Sequence, residues 1–218
     1  MTLRKEAKPD YSLPGSYRPI ALENSLAKVL EKVVADRISA AAEEHALLPW
    51  NQMGARRGRS TISALSLLTS CVQTAWKARP GCVVSMLSLD IKGAYDNVAR
   101  KRLLWILERK GFPQWVVRTV DSFLTDRRTR ITFSGYENDW IQTESGIPQG
   151  SPLSPILFLF FISELLEDIQ QVDRDTFGFG FVDDTTLIAW GDSAGENCQG
   201  AHVHARAGRQ VCIRRGAR

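Results

Sequence analysis

Apolar positions along the chain change period several times, and each change marks an element. From Ala21, the residues Leu22, Leu26, Val29, Leu30, Val33 and Ile38 recur at three- and four-residue intervals, with Lys28, Glu31, Lys32 and Asp36 between them. This predicts an amphipathic helix that runs toward Glu44 and ends before Pro49. Residues 51–59 are rich in Gly and Arg and read as a loop. Ser60 is placed to cap a second helix carrying Ile62, Leu65, Leu68, Val72 and Trp76. After Pro80-Gly81 the run from Cys82 to Leu89 is short, apolar and β-prone, and it ends on Asp90. Leu103, Leu104, Ile106 and Leu107 predict a helix stopping at Gly111, and Pro113 opens another with Trp115, Val116, Val120 and Phe123.

Two strands are expected at 128–133 and 139–143, joined by a turn at 134–138. A Gly/Pro-rich loop, 146–152, leads into an apolar helix beginning near Leu153. That apolar run, 153–162, is about half the ~20 residues a membrane helix needs, so a buried helix and no membrane are expected. Residues 177–190 read as a hairpin with Asp183-Asp184 near its bend. Beyond Asp192 no apolar period remains.

Composition adds limits. With 44% hydrophobic and 24% charged residues in 218, a buried core is affordable and general disorder is excluded. The net charge of +4 lies entirely in 193–218, which holds five arginines and one glutamate, so the basic balance does not itself argue for nucleic acid. Four cysteines without a C-x-x-C pair suit a reducing compartment, and the N-terminus has no apolar leader segment. The spacing of Cys198, His202, His204 and Cys212 is not that of a zinc knuckle.

Three carboxylates carry the candidate chemistry. Asp90 ends one apolar run and Asp183-Asp184 sits in another, where charge costs several kcal/mol unless paired or bound to metal. Two β segments presenting carboxylates suit hard divalent cations and substrate phosphates. Consecutive strand residues point to opposite faces, so Asp183 and Asp184 can act together only at a bend. A solvated turn is the alternative for the pair taken alone.

The motifs around these residues resemble, in order, those of reverse transcriptases from non-LTR (LINE-type) retrotransposons. Tyr17-Arg18-Pro19-Ile20 is similar to the family's YRPI. Gln52 to Thr61 (QMGARRGRST) is similar to QxGFRxGRST, with Ala55 where Phe is usual. LDIKGAYD at 89–96 is similar to LDIxxAFD, GIPQGSPLSP at 146–155 to GxPQGSPLSP, and Phe181-Val182-Asp183-Asp184 to F/Y-x-DD. The resemblance implies an α+β right-hand polymerase: fingers over 1–80, a palm with an antiparallel sheet backed by helices over 81–192, and no thumb; composition alone makes 193–218 a basic Gly/Ala/Arg tail expected to be disordered.

It also implies roles. Asp90 and Asp183 would ligate two Mg²⁺ or Mn²⁺ ions, with the Ile91 carbonyl adding an oxygen and Asp184 assisting. Such ions, about 4 Å apart, activate a primer 3′-hydroxyl and neutralise leaving pyrophosphate. Tyr95 would stack under the incoming dNTP and reject a 2′-hydroxyl, or else be a core tyrosine. Gln149 and Gly150 would lie beside the nascent base pair, the alternative being an ordinary helix-entry turn. Arg18 would contact the triphosphate, with Lys5 and Lys8 as looser matches. Arg56, Arg57 and Arg59 would track template phosphates, against a solvated charged loop. Arg127, Arg128 and Arg130 read as strand-edge charges. The expected partners are RNA template, DNA primer and dNTP. The expected activity is RNA-directed DNA polymerisation weakened by loss of the thumb. A non-enzymatic remnant and a group II intron-type enzyme are the alternatives. The setting is intracellular: nucleus for a LINE-type element, mitochondrion for the intron type.

Overall fold

The computed structural model describes residues 1–91, 93–133, 135–172 and 175–198, without the side chains of 170–172. The chain divides into two units. One comprises Met1–Ile38 and Tyr95–Pro155, the other Ser39–Ala94 and the chain from Ile156 onward. Each unit is built from two separated stretches of chain.

In the first unit, β1 (Thr2–Arg4) pairs antiparallel with β2 (Tyr17–Pro19). Helices α3 (Arg100–Arg109) and α4 (Gln114–Leu124) pack on each other. Leu103, Ile106, Leu107, Val116 and Val120 are buried as the periodicity predicts, together with Val117 and Leu124, whereas Trp115 is exposed and Leu104 and Phe123 are only partly covered. Arg100 adds an ion pair to Asp121. The predicted hairpin is broken in two: β4 (Arg128–Thr129) pairs with β7 (Ile141–Gln142), and β5 (Thr132–Phe133) with β6 (Tyr136–Glu137). The break falls where the Asn138 carboxamide accepts from the Ile131 N–H in place of a ladder partner. Tyr136 and Glu137, expected in the turn, instead form β6, and Gly135 before them has φ +83°.

In the second unit, β3 (Val83–Asp90), β9 (Asp184–Gly191) and β8 (Thr176–Phe181) form an antiparallel sheet in the order β3-β9-β8. One face meets α5 (Ser154–Val172) through Leu166, Ile169, Leu187, Leu87 and Leu89. The other meets α2 (Thr61–Ala78) through Met53, Ala64, Leu67, Leu68, Phe177, Phe179 and Ile188. Alternation in Thr-Phe-Gly-Phe-Gly-Phe explains β8: the phenylalanines pack toward α2 and the glycines toward α5. A Cβ on Gly178 would stand 2.6 Å from Ile169, and one on Gly180 would stand 2.3 Å from the Gln52 carboxamide.

Three expectations change. β3 is an edge strand with alternate residues exposed, not a buried run, so Asp90 meets solvent. In α1 (Ser25–Glu44), Leu22, just before the helix, and Leu26, Val29, Leu30 and Val33 are exposed, while Val34, Ala35, Ile38 and Ala42 are buried. In α2 the buried positions are likewise the small Ala64 and Ala75, with Ile62, Leu65 and Trp76 exposed. Small side chains let a helix approach its neighbour closely, and periodicity that weights large residues points to the wrong stripe. Finally, 194–198 form a helical turn, and the Asn197 side chain donates to the Val83 carbonyl (2.8 Å). The segment after Asp192 thus begins ordered; Gln199 onward lies outside the described residues. No described helix is long and apolar enough to cross a membrane.

Candidate active site

Asp90 is the last residue of β3 and Asp184 the first of β9, and the two are partners in register. Asp183 occupies, with Val182, the two-residue turn between β8 and β9. The bend required for both aspartates to act together is present, and it places Asp184 rather than Asp183 opposite Asp90. Asp90, Asp184, Ser88, Thr186 and Met86 share one sheet face by alternation, and Met86 is 62% exposed. Proximity of like charges has a cost here. The Asp184 carboxyl is held above its ordinary range by burial, then by the charges of Asp183 and Asp90. Among the described residues no three His, Cys, Asp or Glu side chains converge closely enough to hold a metal ion as they stand. Ile91, which follows β3, is half-buried.

The turn itself is strained. Val182 has φ +59°, a region costing a β-branched residue about 1–2 kcal/mol. Neighbouring chain holds it there. Residues 51–53 run alongside β8: Met53 N–H donates to the Gly180 carbonyl (2.7 Å) and Gly180 N–H to the Asn51 carbonyl (3.1 Å). The Asn51 carboxamide donates to the Gly178 carbonyl (2.6 Å). Gly54 then lies against the turn, where a Cβ would stand 2.6 Å from the Val182 nitrogen.

The first unit gathers the other predicted residues. Ala21 N–H donates to the Gln149 carbonyl (2.8 Å), joining the end of the β2 segment to the 146–152 loop. Gly150 has φ +112°, and a Cβ there would meet the Ala21 carbonyl at 3.1 Å, so glycine is required. Gln149 and Arg18 are exposed. Tyr95 is half-buried; its carbonyl accepts from Ile147 N–H (2.8 Å), and Val98 accepts from Gly146 N–H (3.0 Å). Gly146 lies so close that a Cβ would be 2.8 Å from Asp96. Tyr95 therefore touches the loop that carries Gln149 and Gly150, and the chain just after β2, three residues beyond Arg18, touches it at Ala21. Lys5 instead donates to the Gly15 carbonyl (3.0 Å).

The arginine cluster separates into different roles. Arg56 has a side chain only 4% exposed and grips Glu43 with both Nε (2.7 Å) and Nη2 (2.8 Å). It also donates to the Pro49 carbonyl (2.7 Å). Arg59 is turned onto the Trp50 carbonyl and the Met53 sulfur. Both are committed to shaping the 51–59 loop, which leaves Arg57 as the exposed member. Arg127, read as a strand-edge charge, instead donates to the Ser145 (2.8 Å) and Gly146 carbonyls. Sequence reading also missed Asn51 and Gly54 as supports of the aspartate turn, although Gly54 lies within a quoted motif. Of the four Cys/His residues in the tail, only Cys198 is described, and it is exposed.

Comparison with known proteins gives the family. The family model described as "Reverse transcriptase (RNA-dependent DNA polymerase)" matches residues 4–211, and the chain belongs to that family. The match continues past Asp192, where the sequence alone shows no recognisable motif. Among relatives, the chain is 32% identical over 165 residues to a probable RNA-directed DNA polymerase from transposon BS of Drosophila melanogaster, covering 76% of this chain and 18% of that protein. It is 30% identical over 176 residues to the RNA-directed DNA polymerase from mobile element jockey of the same species, covering 79% and 19%. It is 30% identical over 163 residues to the Pol polyprotein of type-1 retrotransposable element R2 of Popillia japonica, covering 74% and 22%. The chain thus spans about a fifth of the length of these relatives, which are non-LTR elements as the motifs implied. In fold it resembles apo telomerase from Candida tropicalis, with a TM-score of 0.60 at 14% identity over 89% of this chain and 35% of that one. Candida albicans telomerase gives a TM-score of 0.58 at 12% identity, over 81% and 32%. These likenesses establish the α+β architecture of polymerase fingers and palm.

Proposed function

We propose that the chain carries the nucleotidyl-transfer site of an RNA-directed DNA polymerase, extending a DNA primer on an RNA template with dNTPs. The observation that supports this most is the register pairing of Asp90 with Asp184, with Asp183 in the adjoining turn. Three carboxylates at one end of a sheet are an all-oxygen donor set, which suits hard cations such as Mg²⁺ or Mn²⁺. Asp90 and Asp183 would hold the ions, with Asp184 and the Ile91 carbonyl assisting. When bound, such ions supply the charge that lowers the pKa of a primer hydroxyl and stabilises leaving pyrophosphate.

The rest is binding and orientation. Arg18, exposed at β2, offers a guanidinium fork to triphosphate oxygens. Gln149 offers a donor and an acceptor to a base, and Gly150 allows close backbone approach. The Tyr95 ring would exclude a 2′-hydroxyl by contact. Arg57 would add a phosphate contact whose strength falls with salt. The fingers and palm assignments over 1–80 and 81–192 belong to this reading. Addition of a single dNTP to an RNA-templated primer tests it. Incorporation that depends on Mg²⁺ and disappears in Asp90→Asn is expected. RNA binding without incorporation would instead identify a non-enzymatic remnant.

A further inference from the structure

The underside of the 146–152 loop is held by charged groups that no motif singled out. The Ser151 hydroxyl donates to the Glu31 carboxylate of α1, and the same hydroxyl oxygen accepts from Leu153 N–H (3.1 Å). At the loop's other end, Arg127 donates to the Ser145 and Gly146 carbonyls. Between them lies Glu23. Its Oε2 and the Arg127 Nε are both buried without a hydrogen-bond partner among the described residues. Lys28, Glu31 and Arg127 are the charged groups that act on Glu23. Surface residues rarely gather in this way. At one end of the loop the Arg127 guanidinium donates to backbone carbonyls, and at the other the Glu31 carboxylate accepts from the Ser151 hydroxyl.

We propose that Glu31 and Arg127 are positioning residues that hold the 146–152 loop in the shape presenting Gln149 and Gly150, while touching no substrate themselves. The proposal rests on the reading of Gln149 and Gly150 as contacts to the nucleotide and template. Three observations support it. The loop has no regular secondary structure, and the Ser145 and Gly146 carbonyls, the Ser151 hydroxyl and the Leu153 N–H take side-chain partners. Ser151 is buried, so its hydroxyl cannot exchange Glu31 for bulk water without loss. Gly150 is pressed against Ala21, so a small displacement of the loop would be felt at Gln149 at once. Burial, followed by the charge of Glu31 and a hydrogen bond to it, pushes Glu23 up to about 7.

Hydrogen exchange on the full 218-residue chain tests the proposal. The amides of Ala21, Gly146, Ile147 and Leu153 report the loop's bonds. In Glu31→Ala these should exchange about 10-fold faster, while amides of β8 and β9 keep their rates; Glu31→Gln, which retains an acceptor, should restore most of the protection. Unchanged exchange in Glu31→Ala overturns the proposal. If Glu31→Ala accelerates exchange everywhere, a double-mutant cycle with Ser151→Ala decides, with additivity of the two effects sinking the idea and non-additivity upholding it. In primer extension, Glu31→Ala should raise the KM for dNTP several-fold with a smaller change in kcat. Failure of the wild-type chain to extend any primer would remove the polymerase reading. The exchange result would then still decide whether Glu31 braces the loop.

Discussion

Asp90 and Asp184 stand directly opposite each other on neighbouring antiparallel strands, a like-charge pair at the end of the sheet face they share. Such pairs destabilise a sheet, by about 0.2–1 kcal/mol when partly exposed. Replacing either with Asn should therefore raise the melting temperature slightly in metal-free buffer. The same substitutions should lower incorporation by at least ~100-fold in Mg²⁺. Differential scanning fluorimetry beside single-nucleotide addition measures both. A variant that loses stability and activity together would show the pair to be structural.

Gly54 has no room for a side chain, because a Cβ would press on the backbone nitrogen of Val182 at 2.6 Å. Gly54→Ala should displace the aspartate turn, at a cost on the order of 1–3 kcal/mol. Incorporation should fall even where the urea midpoint shows most of the chain still folded. Full activity in this variant would mean that the turn is positioned by something else.

Arg56 and Arg57 are adjacent and should behave oppositely. Arg56→Ala leaves Glu43 without its partner and removes donors to two carbonyls, an expected loss of about 3 kcal/mol reduced by the one-third exposure of Glu43. Arg57→Ala should leave stability unchanged and reduce the salt dependence of RNA binding by roughly one phosphate contact. Urea melts and binding titrations at several salt concentrations separate the two effects.

Glu23 makes stability depend on pH. Its folded value of about 7 lies above the ordinary 4.5, so the folded state keeps a proton that the unfolded chain releases. The contribution is fully present below the ordinary value and is lost as pH rises through about 7. Solvent screening reduces it to on the order of 1 kcal/mol. Glu23→Gln should flatten this decline; urea midpoints across that interval that fall equally in both proteins would assign it to another group.

Much of the fold was legible because it depends on local pattern. Pro113, the α3 and α4 stripes and the hairpin around Asp183-Asp184 follow from spacing and turn chemistry within a few residues. The buried faces of α1 and α2 were not legible. Both helices carry large apolar residues on more than one side, and only the neighbouring elements select the stripe with Val34, Ala35 and Ile38, or Ala64 and Ala75. Likewise, Arg56, Arg59 and Arg127 look like free charges in sequence and are committed to carbonyls or carboxylates in the folded chain.

By itself the sequence determined the family and singled out the three aspartates as candidates, because ordered motifs preserve side-chain chemistry whatever their geometry. Tertiary structure decided which aspartate stands opposite Asp90, because strand register is settled by pairing between segments nearly a hundred residues apart. It also decided that Gly54 supports the Val182 turn and that Glu31 lies beneath Ser151. Those contacts arise from close approach of distant backbone, and no local period records them.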